Sequence, residues 1–116
     1  MNTVISFKQM DASPALKEFI EEKSLTLKKY FRGKISVTWN LSKERETRIA
    51  HCHLVGNQMD YFGEGVAVEF RDSINEALEK IERQLRKHKE IVKDHLHKNA
   101  NVNINGNDQN EGDDQG

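Results

Sequence analysis

The chain has one cysteine, one proline and one tryptophan among its 116 residues. A lone thiol, Cys52, excludes an intrachain disulfide and fits a reducing compartment. No apolar run approaches the length that spans a bilayer, and the N-terminus has no basic start followed by a long apolar stretch. Neither a transmembrane helix nor a signal peptide is expected, and a cytoplasmic location is. No glycine-rich loop that would cradle a phosphate is present. No Ser-His-Asp arrangement has local support. Glu18, Glu21, Glu22, Glu79 and Glu82 are interleaved with bases at helical spacing, as on a solvated face, and do not read as a general acid–base pair. No enzyme, cofactor or small-molecule substrate is therefore expected. The pairs His51/His53 and His95/His97 match no zinc framework of cysteine and histidine pairs, so no metal is expected. Cys52 lies on the apolar face of a strand and reads as a buried structural thiol.

Charge is plentiful but divided. The formal net charge is -1. Residues 99–116 carry Asp108, Glu111, Asp113 and Asp114 and no base, which makes them -4. The remaining 98 residues hold all 18 Lys and Arg against 15 acids, or +3. Residues 1–98 are expected to form one α+β domain. From Asn99 the chain is mostly Asn, Asp, Gly and Gln, with too little apolar surface to offset the entropy of ordering, and a disordered acidic tail is expected over 99–116.

The spacing of apolar residues predicts six elements. Thr3 to Lys8 is β-branched and reads as a strand. Ser13-Pro14 starts a helix, with serine capping and proline at the first helical position. Its buried side is Leu16, Phe19, Ile20, Leu27, Tyr30 and Phe31, and Gly33 is expected to end it. Ile35, Val37, Trp39 and Leu41 alternate with polar residues as a half-buried strand. Ser42 to Glu46 is a charged turn, and Thr47 to Val55 a strand with Ala50, Cys52 and Leu54 on one face. Gly56-Asn57-Gln58 turns the chain into Tyr61 to Val68, where Gly63 and Gly65 imply a bulge or a close backbone approach. A last helix starts either at a capping box, Ser73-Ile74-Asn75-Glu76, or a turn earlier near Phe70, and runs to about His97. A helix between the first two strands implies a parallel pair, and the next strands can meander. The expected architecture is a two-layer β-α-β-β-β-α sandwich, both helices on one face of a four-stranded mixed sheet.

The last helix carries the pattern that points to a partner. Asp72 to Glu82 holds four acids and one base, whereas Arg83 to Lys98 holds six bases and two acids. Part of that gradient suits the helix dipole. The dipole does not require Arg83, Arg86, Lys87 and Lys89 within seven residues. At helical spacing Lys80, Arg83 and Lys87 form one exposed row, and Arg86, Lys89 and Lys93 another. Taken alone, a solvated helix explains these rows about as well as an RNA contact surface. Lys23, Lys28 and Lys29 on the first helix favour RNA, because two adjacent helices can line a strip of phosphates. Such a surface reads backbone shape more than bases, and its binding is steeply salt-dependent. The alternative is a protein-interaction module whose charged helices engage an acidic protein.

Phe7-Lys8-Gln9-Met10-Asp11, Ser13-Pro14-Ala15-Leu16, Lys23, Leu41-Ser42-Lys43-Glu44 and Glu82-Arg83-Gln84-Leu85 before Lys87-His88-Lys89 together resemble the bacterial ribosome hibernation factors. This is the family of hibernation promoting factor and protein Y, also called ribosome-associated inhibitor A, in its short form. The resemblance covers roughly residues 3–95. It implies a fold similar to a double-stranded RNA-binding domain and a protein that is a monomer when free. It further implies a non-enzymatic factor that binds rRNA in the decoding channel of the small ribosomal subunit. Such a factor blocks the tRNA and mRNA sites and stops translation in stress or stationary phase. The rRNA-contacting positions it carries over are Lys23, Lys29, Lys80, Arg83, Lys87 and Lys89. Thr26 stands where relatives commonly have lysine, and Lys28 where they have an acid, which shifts the basic patch on the first helix. Glu69 replaces the usual aspartate before the last helix. Two subtypes stay open: the promoting factor, which ends soon after the last helix and favours ribosome pairing, and protein Y, which has a longer C-terminal extension and opposes it. The Lys-Gln-Met and Leu-Ser-Lys-Glu strings and the presence of an acidic extension look like protein Y, whereas the sequence of that extension is not otherwise similar.

Overall fold

The alternation that begins at Val37 builds the centre of the sheet. In β2 (Ser36–Glu44) Val37, Trp39 and Leu41 are fully buried. They lie opposite Leu54, Cys52 and Ala50 of β3 (Thr47–Gly56), which are also fully buried. β1 (Asn2–Lys8) runs parallel to β2, and β4 (Met59–Ala67) runs antiparallel to β3, so the sheet order is β1-β2-β3-β4. The computed structural model describes the backbone of residues 1–100 and the side chains of residues 1–89. The expected acidic tail lies, from residue 101 on, outside the described residues.

Two tight turns join the antiparallel strands. Gly56 pairs with Met59, and the two residues between them, Asn57 and Gln58, have φ of 52° and 65°. Two positive φ angles match the right-handed strand twist, as in a type I′ hairpin. The other turn is shorter than the charged stretch from Ser42 to Glu46 had implied. Glu44 pairs with Thr47, leaving only Arg45 and Glu46 between the strands, with Arg45 at φ 58°. The Thr47 hydroxyl donates to the Glu44 carbonyl at 2.7 Å, which closes the turn.

Helix α1 (Pro14–Ser24) starts as its sequence dictates: Pro14 is its first residue and the Ser13 hydroxyl accepts from Leu16 N–H at 3.2 Å. It ends nine residues before Gly33, in a correction to the expected boundary. The chain tightens into a 3₁₀ segment (Leu25–Tyr30), and Gly33, at φ 94°, comes after that. Two contacts explain the early end. Ser24 is fully buried and its hydroxyl accepts from the Trp39 indole N–H at 3.1 Å. The Thr26 hydroxyl donates to the Lys23 carbonyl at 2.7 Å, three residues back, which favours the narrower winding. Leu27 is thereby buried and Leu25 turned outward.

Helix α2 (Phe70–Ala100) begins at the earlier of the two expected starts. Ser73 does not cap it. Ser73 is fully buried and its hydroxyl donates back to the Phe70 carbonyl at 3.0 Å. The Glu69 carbonyl accepts from Asp72 N–H at 3.2 Å and Ser73 N–H at 3.1 Å. The glycines of β4 explain how closely the helix approaches. A methyl on Gly63 would stand 2.6 Å from the Ala77 carbonyl oxygen, and one on Gly65 would overlap the Ser73 carbonyl. Close backbone approach, and not a bulge, is the reason for both. The chain divides into two compact units inside α2, Met1–Gln84 and Leu85–Gly116. The first holds the sheet, α1, the 3₁₀ segment and the opening turns of α2, in the order β-α-β-β-β-α with the helices on one face of the sheet.

Candidate nucleic-acid interface

Within the first unit α2 presents three sides to different surroundings. One faces the free edge of β4. There Glu76 accepts from Val66 N–H at 2.9 Å, Lys80 Nζ donates to the Glu64 carbonyl at 2.6 Å, and Gln84 donates to the Phe62 carbonyl at 3.0 Å. Helix residues four apart thus meet strand residues two apart. The spacing works because four residues of helix rise about 6 Å and two residues of strand about 7 Å. This ladder satisfies backbone groups that an edge strand would otherwise leave open. Lys80 also lies 3.8 Å from the Glu76 carboxylate, so its charge is partly spent inside the molecule.

The second side faces α1 across a groove of about 560 Å³. Its charged lining is Lys23 against Asp72, Glu76, Glu79 and Glu82, and Thr26 reaches the Glu82 carboxylate at 3.5 Å. One base against four acids makes the groove anionic, so it repels phosphate. Lys23 also stands over the Phe19 ring at 5.6 Å. The third side faces solvent, and Arg83 stands on it exposed.

The bases of the first helical stretch do not join Lys23. Lys28 lies on the other flank of α1, beside Glu18, Glu21, Glu22 and Leu25. Lys29 is exposed, with its ammonium 5.2 Å from the Tyr30 ring. Lys23 is in the last turn of α1 and Lys28 in the 3₁₀ segment that follows, and the two line different grooves. The structure therefore separates Lys23, Lys28 and Lys80, which had been expected to line one strip. Of the expected contact residues in this unit, Arg83 is exposed with no hydrogen bond, ion pair or ring contact among the described residues.

The second unit, from Leu85, continues as helix. Leu85 is buried, whereas Arg86, Lys87 and Lys89 are exposed. Lys93 lies on the helical backbone, and its side chain is outside the described residues.

The outer face of the sheet is uncovered and polar at its centre. His51 meets Glu64 at 2.7 Å and His53 meets Asp60 at 2.6 Å, with the Phe62 ring 5.4 Å from one imidazole and 6.3 Å from the other. Among the described residues no three His, Cys, Asp or Glu side chains are grouped to hold a metal ion. Cys52 is buried under the helices, and burial pushes its thiol pKa far up. No described helix is long and apolar enough to cross a membrane. Sequence reasoning missed the edge-capping work of Glu76, Lys80 and Gln84. The four-residue spacing of these polar side chains on one helix face was its only signal.

Residues 3–93 match the family model described as Sigma 54 modulation protein / S30EA ribosomal protein. A search of curated proteins found no significant match. Among solved structures the chain is similar to the N-terminal domain of Protein Y from Thermus thermophilus. That likeness has a TM-score of 0.71 at 18% identity and covers 76% of this chain and 99% of that one. It is also similar to a ribosomal subunit interface protein from Coxiella burnetii, with a TM-score of 0.67 at 20% identity, over 77% of this chain and 98% of that one.

Proposed function

We propose a function from one premise: the chain belongs to the Sigma 54 modulation protein / S30EA ribosomal protein family. On that premise it is a ribosome-binding factor. In the finer reading it docks on the small subunit at the decoding channel and contacts rRNA phosphates. There it stops translation by occupying the tRNA and mRNA sites when growth ceases. It works in the cytoplasm by occupancy and needs no bond-making chemistry.

The observation that carries this reading is the set of exposed bases on α2, Arg83 in the first unit and Arg86, Lys87 and Lys89 in the second. Guanidinium and ammonium groups pair with phosphates and release counterions as they do so. Lys93 follows on the same helix. Lys29 is a further exposed cation. Lys23 and Lys28 sit among acids, and Lys80 is held by Glu64 and Glu76, so the main electrostatic work falls to Arg83, Lys87 and Lys89.

Sedimentation with purified subunits over a salt series tests this. The protein is expected to pellet with the small subunit at low salt and to be released as salt rises. Replacing Arg83, Lys87 and Lys89 with Ala is expected to reduce the salt slope of binding by about 1 per residue. Failure to pellet at low salt, or a slope untouched by the three substitutions, refutes the reading. A partner retained after nuclease treatment and ribosome depletion would support a protein-binding module instead.

A further inference from the structure

The two edges of the sheet are treated differently. Glu76, Lys80 and Gln84 close the β4 edge. At the other edge, Asn2 N–H donates to the Ile35 carbonyl at 2.8 Å, which fixes the phase of β1. Asn2, Val4, Ser6 and Lys8 thereby spend their backbone groups on β2. Thr3, Ile5 and Phe7, the alternate residues, turn theirs outward. No hydrogen bond to those outward groups occurs among the described residues. β1 has no proline and no bulge, the usual means of blunting an edge, and its one lysine is at its end.

Beside this edge lies a hollow of about 470 Å³ whose lining includes Thr3, Glu18, Glu21, Glu22, Leu25 and Lys28. The three glutamates are exposed and have no ion-pair partner among the described residues. Leu25 is 55% exposed and supplies an apolar floor.

We infer that the β1 edge docks an extended protein segment rich in lysine or arginine, which adds to the sheet as a fifth strand. Its backbone pairs with Thr3, Ile5 and Phe7, and its basic side chains reach the acids of α1. Main-chain bonds of this kind supply affinity, and the flanking side chains supply selectivity. The geometry matches: alternate residues of an added strand are about 7 Å apart, and Glu18 and Glu22, one helical turn apart, about 6 Å. Charge selects the occupant. A second copy across the edge would set one row of glutamates against another. The acidic residues 108–114 of this chain carry the same sign and are repelled as well. Only a cationic strand gains on both counts. The edge does not depend on whether α2 binds RNA.

The probe is a peptide of alternating valine and lysine, about ten residues long, added to the full chain without ribosomes. A matched valine–glutamate peptide is the control. Backbone amide exchange is followed by NMR. The lysine peptide is expected to slow exchange at Thr3, Ile5 and Phe7 about tenfold, and to leave the amides already paired with β2 unchanged. Replacing Glu18, Glu21 and Glu22 with Gln, all exposed, is expected to weaken its binding about tenfold, and the glutamate peptide is expected not to bind. The inference is overturned if the lysine peptide does not bind. It is equally overturned if binding leaves those three amides fast, if the glutamine variant binds as well, or if the edge instead pairs with a second copy in a concentration-dependent way. The experiment contains no RNA, so its failure and a failure of ribosome binding are separate results.

Discussion

Adding one methyl at Gly65 is the sharpest test of how α2 is seated. The new Cβ would overlap the Ser73 carbonyl oxygen and stand 2.7 Å from Ser73 C and 2.9 Å from Ala77 N. Every atom met is helix backbone, so no side chain can swing away. The first turns of α2 must lift, which opens the packing around Ile74, Ala77 and Ile81, all fully buried. Overpacking of a core costs about 1–3 kcal/mol, and the rigidity of the contact puts Gly65→Ala at about 3 kcal/mol. For a domain of this size that is a fall in Tm of roughly 12–24 °C. Gly33→Ala is the control. Its methyl meets nothing within 4 Å and the only cost is the φ of 94°. That cost is about 1–2 kcal/mol. Thermal unfolding followed by circular dichroism separates the two. If Gly65→Ala unfolds no earlier than Gly33→Ala, α2 does not press on β4 as described, and the ladder of Glu76, Lys80 and Gln84 loses its basis.

Lys80→Met is expected to lower stability by about 0.5–1.5 kcal/mol, the worth of its bond to the Glu64 carbonyl, and to leave the salt slope of ribosome binding unchanged. Arg83→Ala is expected to do the reverse. A Lys80→Met variant that loses slope as Arg83→Ala does would show that its ammonium serves RNA. Trp39→Phe removes the donor to the buried Ser24 hydroxyl, and chemical denaturation is expected to show a loss of about 1–3 kcal/mol. A loss near zero would mean the bond does not pin α1. The Cys52 thiol should resist a thiol reagent until the chain unfolds. Its folded pKa is raised above the ordinary 9.0, so its contribution to stability is complete below that pH. Above it only the unfolded chain loses the proton, and stability should fall by about 1.4 kcal/mol per pH unit relative to Cys52→Ala. Parallel curves for the two proteins would contradict the burial.

Periodicity made the architecture legible. Alternation at Val37, Trp39 and Leu41 and the Ser13-Pro14 start each have one local cause, and the structure shows each in place. The two β4 glycines signalled either a bulge or a close approach, and only the seating of α2 against them decided which. The end of α1 was not legible, because it depends on Ser24 meeting Trp39 fifteen residues away. The start of α2 stayed open between two candidates, because the capping pattern at Ser73 is local and the burial of that serine is not.

What the chain by itself determined is which residues share a face: acids early on α2, bases later, apolar residues on one stripe. Helical spacing settles that, because side-chain direction follows from backbone geometry. Which neighbour each face meets was decided by the tertiary structure alone. Lys80 and Arg83 are three residues apart and looked equivalent, yet one is turned to the edge of β4 and the other to water. Lys23 meets a row of acids brought up by a helix more than forty residues later in the chain. Charge is a property of the residue, but the field around it is the sum over neighbours that only folding assembles.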